Sequence, residues 1–401
     1  LTAATIGFAR SMAPVAPRMH WALLEIAPGV PFRRVAELAL SPSSHPSGTL
    51  QRITGSEHQI EIFESLNDHE LIGATPSLRP ELVCIITGGA GAIGGRIARL
   101  LARKYRANLT LVGRRAPDER IAAELAELRD LGGTAEYLSA DVTRGEQVDQ
   151  LVTAVRDRWG RVDGIVHAAG VMGEAMILDA APSEIEQVMA TKMAGAMYLD
   201  AATVNDDLSF FVTFSSVSSL IGDRGSCSYG AANAYLDSFV ELRERLRLRG
   251  ERSGRSLSIG WPMWAEGGMP VPGTEAEFFA ETGMRLLETS TALDIFDWMM
   301  TLDRHRLIYV KGRASTIHRV FRVSNRNAVL RADAAPEMVA PESPAPALQT
   351  CIGYLKALVA QVSGYSIAEI DETQEFEDFG IDSLMILDLN KRLGVDFPGL
   401  D

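Results

Sequence analysis

The sequence has few cysteines, no long apolar run and fewer basic than acidic residues. Its 401 residues include 3 cysteines, which lie far apart and lack the paired spacing of a disulfide framework or a zinc site. No apolar stretch approaches the roughly 20 residues that a membrane helix needs. The formal net charge of −13 argues against a surface for nucleic acids or anionic membranes. These absences predict a cytoplasmic protein without a metal site, a membrane contact or a nucleic-acid partner.

The length and the distribution of charge predict several folded units. A chain of 401 residues is longer than one ordinary hydrophobic core can accommodate. Residues 349–401 contain ten acidic and three basic side chains, a formal charge of −7. The stretch RADAAPEMVAPESPAPA at residues 331–347 is rich in Ala and Pro, which is typical of an extended linker. We therefore expect a small acidic unit at the end of the chain. The first residue is Leu1 rather than Met, from which we expect the chain to be part of a longer protein.

Between these regions, apolar strands alternate with amphipathic helices. VCIITG at residues 83–88, NLTLVG at 108–113, LSFFVTFSS at 208–216 and LSIGW at 257–261 are continuous apolar runs. Strands that are apolar on both faces and are separated by helices favour a parallel sheet covered on both sides. The sequence therefore predicts an α/β fold with a doubly wound parallel sheet.

A glycine-rich loop follows the first of these strands. TGGAGAIG at residues 87–94 lies between the strand and an amphipathic helix. Glycines allow a tight turn and close backbone approach, and the helix N-terminus offers free N–H groups to a pyrophosphate. The candidate cofactor contacts in this loop are Thr87, Gly88, Gly89, Gly91, Ala92, Ile93 and Gly94.

The residue that follows the second strand predicts which dinucleotide is bound. An NAD site places an acid there to accept from the ribose hydroxyls, whereas this sequence has Arg114 and Arg115. Two guanidinium groups favour a 2′-phosphate, so we expect NADPH. The alternative is that both arginines are only a solvated loop edge.

Two further segments complete the predicted cofactor site. Asp141 and Val142 follow the third strand, where the adenine edge would lie, although Asp141 is equally suited to capping a helix. HAAG closes the fourth strand, and its small residues would let the cofactor lie close. Those residues are Ala168, Ala169 and Gly170. We expect His167 to be a packed residue rather than a catalytic one.

Four side chains are candidates for carbonyl reduction. Ser216 ends an apolar strand, Tyr229 and Asn233 are four residues apart on one helix face, and Lys192 lies on the preceding helix. Ser216 would polarise the carbonyl and Tyr229 would supply the proton. A nearby Lys192 ammonium and an oxidised nicotinamide would lower the Tyr229 pKa, and Asn233 would orient a proton relay.

These motifs resemble a known family. TGGAGAIG, GRR, HAAG, FSSVSSLIGDRGSCSYGAANAYLD and SIGWPMWAEGGM are similar to the ketoreductase domain of modular polyketide synthases, within the short-chain dehydrogenase/reductase superfamily. That superfamily commonly has Tyr-x-x-x-Lys, whereas Asn233 stands here and Lys192 lies on the earlier helix. This exchange is characteristic of polyketide and fatty-acid synthase ketoreductases. The resemblance implies reduction of a β-ketoacyl thioester to a β-hydroxyacyl thioester, with the other synthase domains as partners.

The resemblance also implies a domain layout. Residues 1–80 resemble the end of a truncated Rossmann-like structural subdomain, and residues 81–325 the catalytic ketoreductase. Residues 326–348 would then be the linker. The sequence of residues 261–269 is most similar to the corresponding segment of polyketide synthases of the trans-acyltransferase type. Trp264 and Met269 are candidate acyl contacts of a substrate lid, or else core anchors.

The family's markers of product stereochemistry are uninformative here. Met172, Gly173 and Glu174 occupy the place of the Leu-Asp-Asp marker, and Ile221 stands where the opposite type carries Trp. Neither configuration of the hydroxyl is therefore predicted.

The acidic end resembles an acyl carrier domain. GIDSL at residues 380–384 is similar to the motif in which a phosphopantetheinyl transferase attaches 4′-phosphopantetheine to serine, here Ser383. Asp-Ser before an apolar run is also a plain helix N-cap signal. Acidic side chains nearby would suit basic partner domains. We expect residues 349–401 to be the N-terminal part of a carrier domain.

Two rival functions remain open at this level. One is a non-reducing docking module with the same fold, which would have lost the Lys–Ser–Tyr–Asn set. The other is a discrete short-chain reductase that acts on a free substrate, which would need neither the N-terminal subdomain nor the carrier.

Overall fold

The computed structural model describes residues 2–12, 15, 23–31, 49–54, 57–66, 78–171, 179–223, 226–267, 275–321, 353–354, 356–361 and 366–367. By its contacts the chain divides into two compact units, Leu1–Arg326 and Asn327–Asp401. Met172, Gly173, Glu174, Met269 and Ser383 lie outside the described residues.

All the strands described belong to the first unit. In chain order they are β1 (Leu23–Ile26), β2 (Leu50–Thr54), β3 (Glu57–Ile60), β4 (Val83–Thr87), β5 (Asn108–Gly113), β6 (Thr134–Ser139), β7 (Gly164–His167), β8 (Phe210–Ser216), β9 (Arg255–Trp261) and β10 (Arg306–Ile308).

The helices of the first unit alternate with these strands from β4 onward. In chain order they are α1 (Thr2–Met12), α2 (Ala92–Tyr105), α3 (Glu119–Asp130), α4 (Gly145–Trp159), α5 (Pro182–Ala202), α6 (Ser218–Ile221), α7 (Cys227–Leu248), α8 (Glu275–Thr282), α9 (Thr289–Met299) and α10 (Ala314–Phe321).

Seven of the strands form one parallel sheet. Its order is β10-β9-β8-β7-β4-β5-β6, and each neighbouring pair is parallel. The order reverses between β4 and β7, so the connections place helices on both faces. This Rossmann-like arrangement confirms the doubly wound parallel sheet predicted from the sequence.

Both faces of the sheet are buried, because side chains alternate between them along each strand. On β4, Cys84 and Ile86 belong to one apolar cluster, which α2 and α9 also line. Val83 and Ile85 belong to the opposite cluster, which α4 and α5 line. The continuous apolar run of β4 thus supplies two cores at once.

Helix α1 of the N-terminal segment packs on α7. The three-stranded sheet of this segment pairs β1 with β2 in parallel and β2 with β3 antiparallel. Helix α1 crosses α7 closely, since a Cβ atom added at Gly7 would lie 2.2 Å from the carbonyl oxygen of Gly230. Ser11 Oγ on α1 accepts a 3.0 Å hydrogen bond from the Asp223 N–H in the loop between α6 and α7.

Little of the second unit is described. Residues 353–354 and 356–361 are helical, and Leu358 and Val359 are buried there. In the part of the chain that the structure describes, no helix has the length and apolar character of a membrane span.

Candidate active site

Several of the predicted site residues that the structure describes lie at the carboxyl ends of the central strands. Ser216 ends β8 and is in register with Trp261 at the end of β9. The glycine loop follows β4, and HAAG begins at the last residue of β7, the neighbour of β4. Open parallel sheets bind ligands at this edge, at the point where the strand order reverses.

The glycine loop is built for close backbone approach. Gly88 has a φ of +67°, and a Cβ atom there would lie 3.0 Å from the backbone of Ala168. Gly91 precedes α2 without a side-chain cap. Gly88, Gly91, Ala92 and Ile93 are half-buried or exposed, so they form the accessible side of the loop. An uncapped helix N-terminus beneath exposed glycine backbone fits a pyrophosphate.

Three members of the predicted loop set lie inside the protein instead. A Cβ atom at Gly89 would lie 2.7 Å from the Ile86 carbonyl oxygen, and one at Gly94 would lie 2.3 Å from that of Gly88. Both glycines therefore act through their small size. Thr87 is fully buried. Its side chain therefore supports the loop from inside, and its predicted role at the cofactor site stays a prediction.

Thr87 is part of a buried hydrogen-bond chain. Its hydroxyl lies 2.7 Å from His167 Nδ1 and accepts a 3.2 Å hydrogen bond from the Ala169 N–H. His167 Nε2 lies 3.1 Å from the Lys192 carbonyl oxygen. Because a carbonyl only accepts, Nε2 carries the proton and Thr87 donates to Nδ1. The chain ties the β4 loop, the β7 turn and α5 together.

Burial keeps His167 neutral. It lowers the pKa of His167 from 6.5 to about 4, with a further lowering by the Lys192 charge. A neutral ring matches the one-donor, one-acceptor pattern of its two hydrogen bonds. His167 is thus a packed residue, as expected.

Arg114 and Arg115 are exposed at the end of β5. Ser139 Oγ donates to the Arg114 carbonyl at 3.3 Å, and the Tyr137 hydroxyl donates to the Arg115 carbonyl at 2.8 Å. The loop backbone is therefore held. Among the described residues neither guanidinium group has a hydrogen-bond or ion-pair partner, which leaves both available to an anion.

Sequence reasoning missed a third arginine in this region. Arg120 Nη2 on α3 donates a 2.8 Å hydrogen bond to the Ala90 carbonyl oxygen, within the glycine loop. The only signal for it was the Asp118 cap, which accepts from the Ile121 N–H at 2.8 Å and starts α3 beside the loop.

Asp141 lies in a turn rather than at a helix cap. Helix α4 has Arg144 at its N-cap, whereas one Asp141 oxygen accepts from the Thr143 N–H and hydroxyl at 3.0 and 2.8 Å. Burial opposes ionisation of Asp141, but these hydrogen bonds and the Arg114 charge outweigh it and lower the pKa. Val142 is buried in the core. The predicted position of Asp141 and Val142 at the adenine edge stays a prediction.

The structure brings the four catalytic candidates together. Lys192 Nζ donates to the Phe214 carbonyl oxygen at 2.7 Å and lies 5.6 Å from the centre of the Tyr229 ring. Asn233 Nδ2 donates to the Tyr229 carbonyl at 2.9 Å. The Ser216 side chain lies close enough to Tyr229 to oppose the rise of the Tyr229 pKa.

Asn233 also offers an acceptor to the site. Its side chain is fully buried, and its Oδ1 has no hydrogen-bond partner among the described residues. Buried polar atoms are normally hydrogen-bonded, so an orphaned acceptor beside a predicted proton donor fits a relay position.

Burial dominates the electrostatics of the site. It lowers the pKa of Lys192 from 10.5 to about 8, against the opposing charge of Asp237. Burial raises the pKa of Tyr229, the Asp223 charge adds to this, and hydrogen bonds from Asn233 and Ser216 oppose it. The lowering expected from Lys192 together with an oxidised nicotinamide stays a prediction. The raised pKa keeps Tyr229 protonated at neutral pH, which is the state that a proton donor needs.

The predicted lid residue Trp264 belongs to the core. It is buried, and its ring packs edge-on against Trp261 with centroids 5.1 Å apart. This burial favours the core-anchor alternative, and the role of Trp264 as an acyl contact stays a prediction. Ile221, at the stereochemical marker position, packs on an apolar cluster with Val217 and Leu220.

Comparison with known proteins finds relatives among the polyketide synthases. Residues 83–266 match the KR domain family, and residues 353–400 match the phosphopantetheine attachment site family. Polyketide synthase PksL of Bacillus subtilis is 28% identical over 400 residues, 96% of this chain and 9% of that protein. Polyketide synthase ThaG of Burkholderia thailandensis is 32% identical over 321 residues, 80% of this chain and 6% of that protein.

Solved structures give the same result. A ketoreductase domain from the bacillaene assembly line has a TM-score of 0.71 and 27% identity, over 79% of this chain and 76% of that one. The first ketoreductase of the tylosin synthase has a TM-score of 0.67 and 28% identity, over 83% of this chain and 71% of that one.

The fold and the assembled side chains define a domain of the oxidoreductase class. The chain belongs to the polyketide synthase ketoreductases: it is a KR domain followed by a phosphopantetheine-binding carrier region. It spans under a tenth of the length of the two curated relatives described above.

The buried His167 makes stability depend on pH. Its folded pKa of about 4 lies below the unfolded 6.5, so the unfolded state binds the extra proton and stability falls as pH decreases through 6.5 toward 4. Between about pH 7 and about pH 5 this group should cost about 2 kcal/mol of unfolding free energy.

Urea denaturation of the wild type and His167→Gln at both pH values measures this cost. The variant should show a smaller decrease, because its side chain does not titrate. His58→Gln, at an exposed histidine, is the control and should follow the wild type. Equal decreases in all three proteins would contradict a buried neutral His167.

Proposed function

We propose that this domain uses NADPH to reduce a β-ketoacyl thioester, carried on phosphopantetheine, to the β-hydroxyacyl thioester. The observation that carries the proposal is the assembly of Lys192, Ser216, Tyr229 and Asn233 beside an exposed glycine loop and an uncapped helix N-terminus. A docking module that had lost reductase activity would have no reason to keep this set.

The cofactor fits the residues present. Gly88 lets the loop backbone lie close against Ala168, the α2 N-terminus suits the pyrophosphate, and Arg114 and Arg115 suit a 2′-phosphate. Arg120 adds positive charge near the loop. Bound there, NADPH would supply hydride to the ketone carbon.

The chain's own residues handle the proton. Ser216 donates a hydrogen bond to the ketone oxygen and polarises it. Tyr229, protonated because it is buried, transfers its hydroxyl proton to the same oxygen as negative charge develops there. The Lys192 ammonium then stabilises the phenolate left on Tyr229. Asn233 holds the Tyr229 backbone and presents its unpartnered Oδ1 to the path that returns the proton.

The substrate is presented by a carrier. Residues 353–400 match a phosphopantetheine attachment site, and Ser383 in GIDSL is the proposed acceptor. The carrier domain that bears the thioester and a phosphopantetheinyl transferase are the proposed partners. A discrete reductase of free substrates would need no such region. This favours a substrate that is bound to a carrier.

Replacing Tyr229 by Phe should remove the proton donor with almost no change in shape. NADPH oxidation with a β-ketoacyl thioester surrogate should fall by about 10²–10⁴-fold. NADPH binding, measured by the fluorescence of NADPH, should persist. Tyr235→Phe, on the same helix, stacks on Phe239 and is the matched control. Wild-type turnover in Tyr229→Phe would overturn the mechanism.

The arginine pair should set cofactor choice. In the double variant Arg114→Ala with Arg115→Ala, the ratio of kcat/KM for NADPH over NADH should fall by about tenfold or more, since charge-assisted phosphate contacts are lost. Arg103→Ala, an exposed arginine of α2, is the control. An unchanged ratio would assign the pair to a solvated loop edge.

Incubation with coenzyme A and a phosphopantetheinyl transferase tests Ser383. Intact mass should increase by one phosphopantetheine in the wild type and in Ser366→Ala, but not in Ser383→Ala. No increase in the wild type, or the same increase in Ser383→Ala, would refute the assignment.

A further inference from the structure

A closed ring of side chains connects the N-terminal segment to the catalytic part. Arg10 on α1 forms an ion pair with Glu61, which follows β3. Arg306 Nη1 at the start of β10 donates to Glu61 Oε1 at 3.1 Å. Its Nη2 lies 3.3 Å from Asp237 Oδ2 on α7.

Ser219 on α6 closes this ring. Its hydroxyl donates to Asp237 Oδ2 at 2.7 Å, and its carbonyl accepts from Arg10 Nη1 at 3.0 Å. We call these five residues the buried ring. None of them is among the predicted site residues.

The buried ring balances its charges largely away from water, with 27% of the Arg306 and 20% of the Glu61 side chain exposed. Arg10, Ser219 and Asp237 are each less than a tenth exposed. Two guanidinium groups face two carboxylates, so the ring is neutral, and burial of its charges depends on this pairing. The charges of Arg10 and Arg306 outweigh burial at Glu61 and lower its pKa, so the carboxylate stays ionised.

The ring holds the short helix that follows the predicted polarising serine. Ser218, which begins α6, donates its N–H to Ser216 Oγ at 3.2 Å. Ser218 Oγ lies 3.4 Å from Asn233 Nδ2. Ser219 is the next residue, and the ring holds it through two hydrogen bonds, one at its hydroxyl and one at its carbonyl oxygen. A shift of α6 would therefore move the Ser216 hydroxyl.

The ring also acts on the buried Lys192 ammonium through Asp237. Asp237 lies two helical turns beyond Tyr229 on α7, and its charge favours the protonated form of Lys192. Ser258 Oγ donates to the other Asp237 oxygen at 2.6 Å, so the carboxylate is held from β9 as well.

We propose that Arg10 and Glu61 are positioning residues for the reductase, which hold the α6 turn under Ser216 and balance the charge that acts on Lys192. The inference rests on the proposed function of the site. A purely structural tie between the N-terminal segment and the sheet would affect stability but not the chemical step. The two roles are therefore separable.

The sign of the pH effect distinguishes them. Lys192 faces neutral His167, Tyr229 and Asp237, and Tyr229 also faces Asp223. Removal of the Glu61 charge leaves an excess positive charge, which lowers the pKa values of both Lys192 and Tyr229. Removal of the Arg10 charge leaves an excess negative charge and raises both. The alkaline limb of kcat/KM should therefore shift in opposite directions.

The experiment compares Glu61→Gln and Arg10→Gln in the full chain, with rates normalised to folded protein. We expect kcat to fall about tenfold, with the KM for the thioester within about twofold, because only alignment is lost. The alkaline limb should move on the order of half a pH unit, down in Glu61→Gln and up in Arg10→Gln.

Arg10→Lys gives an independent measurement if either glutamine variant fails to fold. It keeps the charge, but a single ammonium group cannot reproduce the guanidinium bridge from Ser219 to Glu61. The expected result is a lower kcat with an unshifted alkaline limb.

Arg243→Gln is the matched control. Arg243 is also buried and paired, with its Nε 2.8 Å from Asp200 Oδ1, at the far end of α7. Its loss should lower the melting temperature without moving the alkaline limb.

The wild type separates the two possible failures. An active wild type with unchanged kcat and pH limb in the ring variants overturns the positioning role alone. An inactive wild type overturns the proposed function and the positioning role with it.

Discussion

The site depends on the close approach of the β4 and β7 carboxyl ends, where the strand order reverses. Gly88 meets the backbone of Ala168 at a distance that leaves no room for a side chain. The buried chain from Ala169 through Thr87 and His167 to the Lys192 carbonyl locks this junction. The glycine loop, the HAAG turn and the helix that carries the lysine are thereby positioned as one piece.

Burial then sets the chemistry of the residues that this junction positions. It makes the Lys192 ammonium easier to deprotonate and the Tyr229 hydroxyl harder to ionise. Both effects follow from the same cost of charge in a low-dielectric interior. Asp237 opposes the first effect, and it is itself held by Ser219, Ser258 and Arg306. The electrostatics of the site thus extend into the N-terminal segment.

Much of the fold could be predicted because its signals are local. The apolar runs ending at residues 113, 216 and 261 become β5, β8 and β9, which end at those same residues. Tyr229 and Asn233 share a helix face because of their spacing. The carrier region predicted from the acidic residues after the Ala/Pro-rich stretch agrees with the match to the phosphopantetheine attachment site family over residues 353–400. Periodicity, turn residues and charge are all readable without tertiary contacts.

The sequence by itself determined the sheet type, the glycine loop and the identity of the four catalytic candidates. Only the tertiary structure decided which way side chains face: Thr87 and Val142 point inward, and Trp264 anchors the core. It also joined Arg10 to Ser219 across 209 positions and Arg306 to Glu61 across 245. Such pairings are decided by packing of distant segments, because a buried charge must find a partner wherever the fold brings one near.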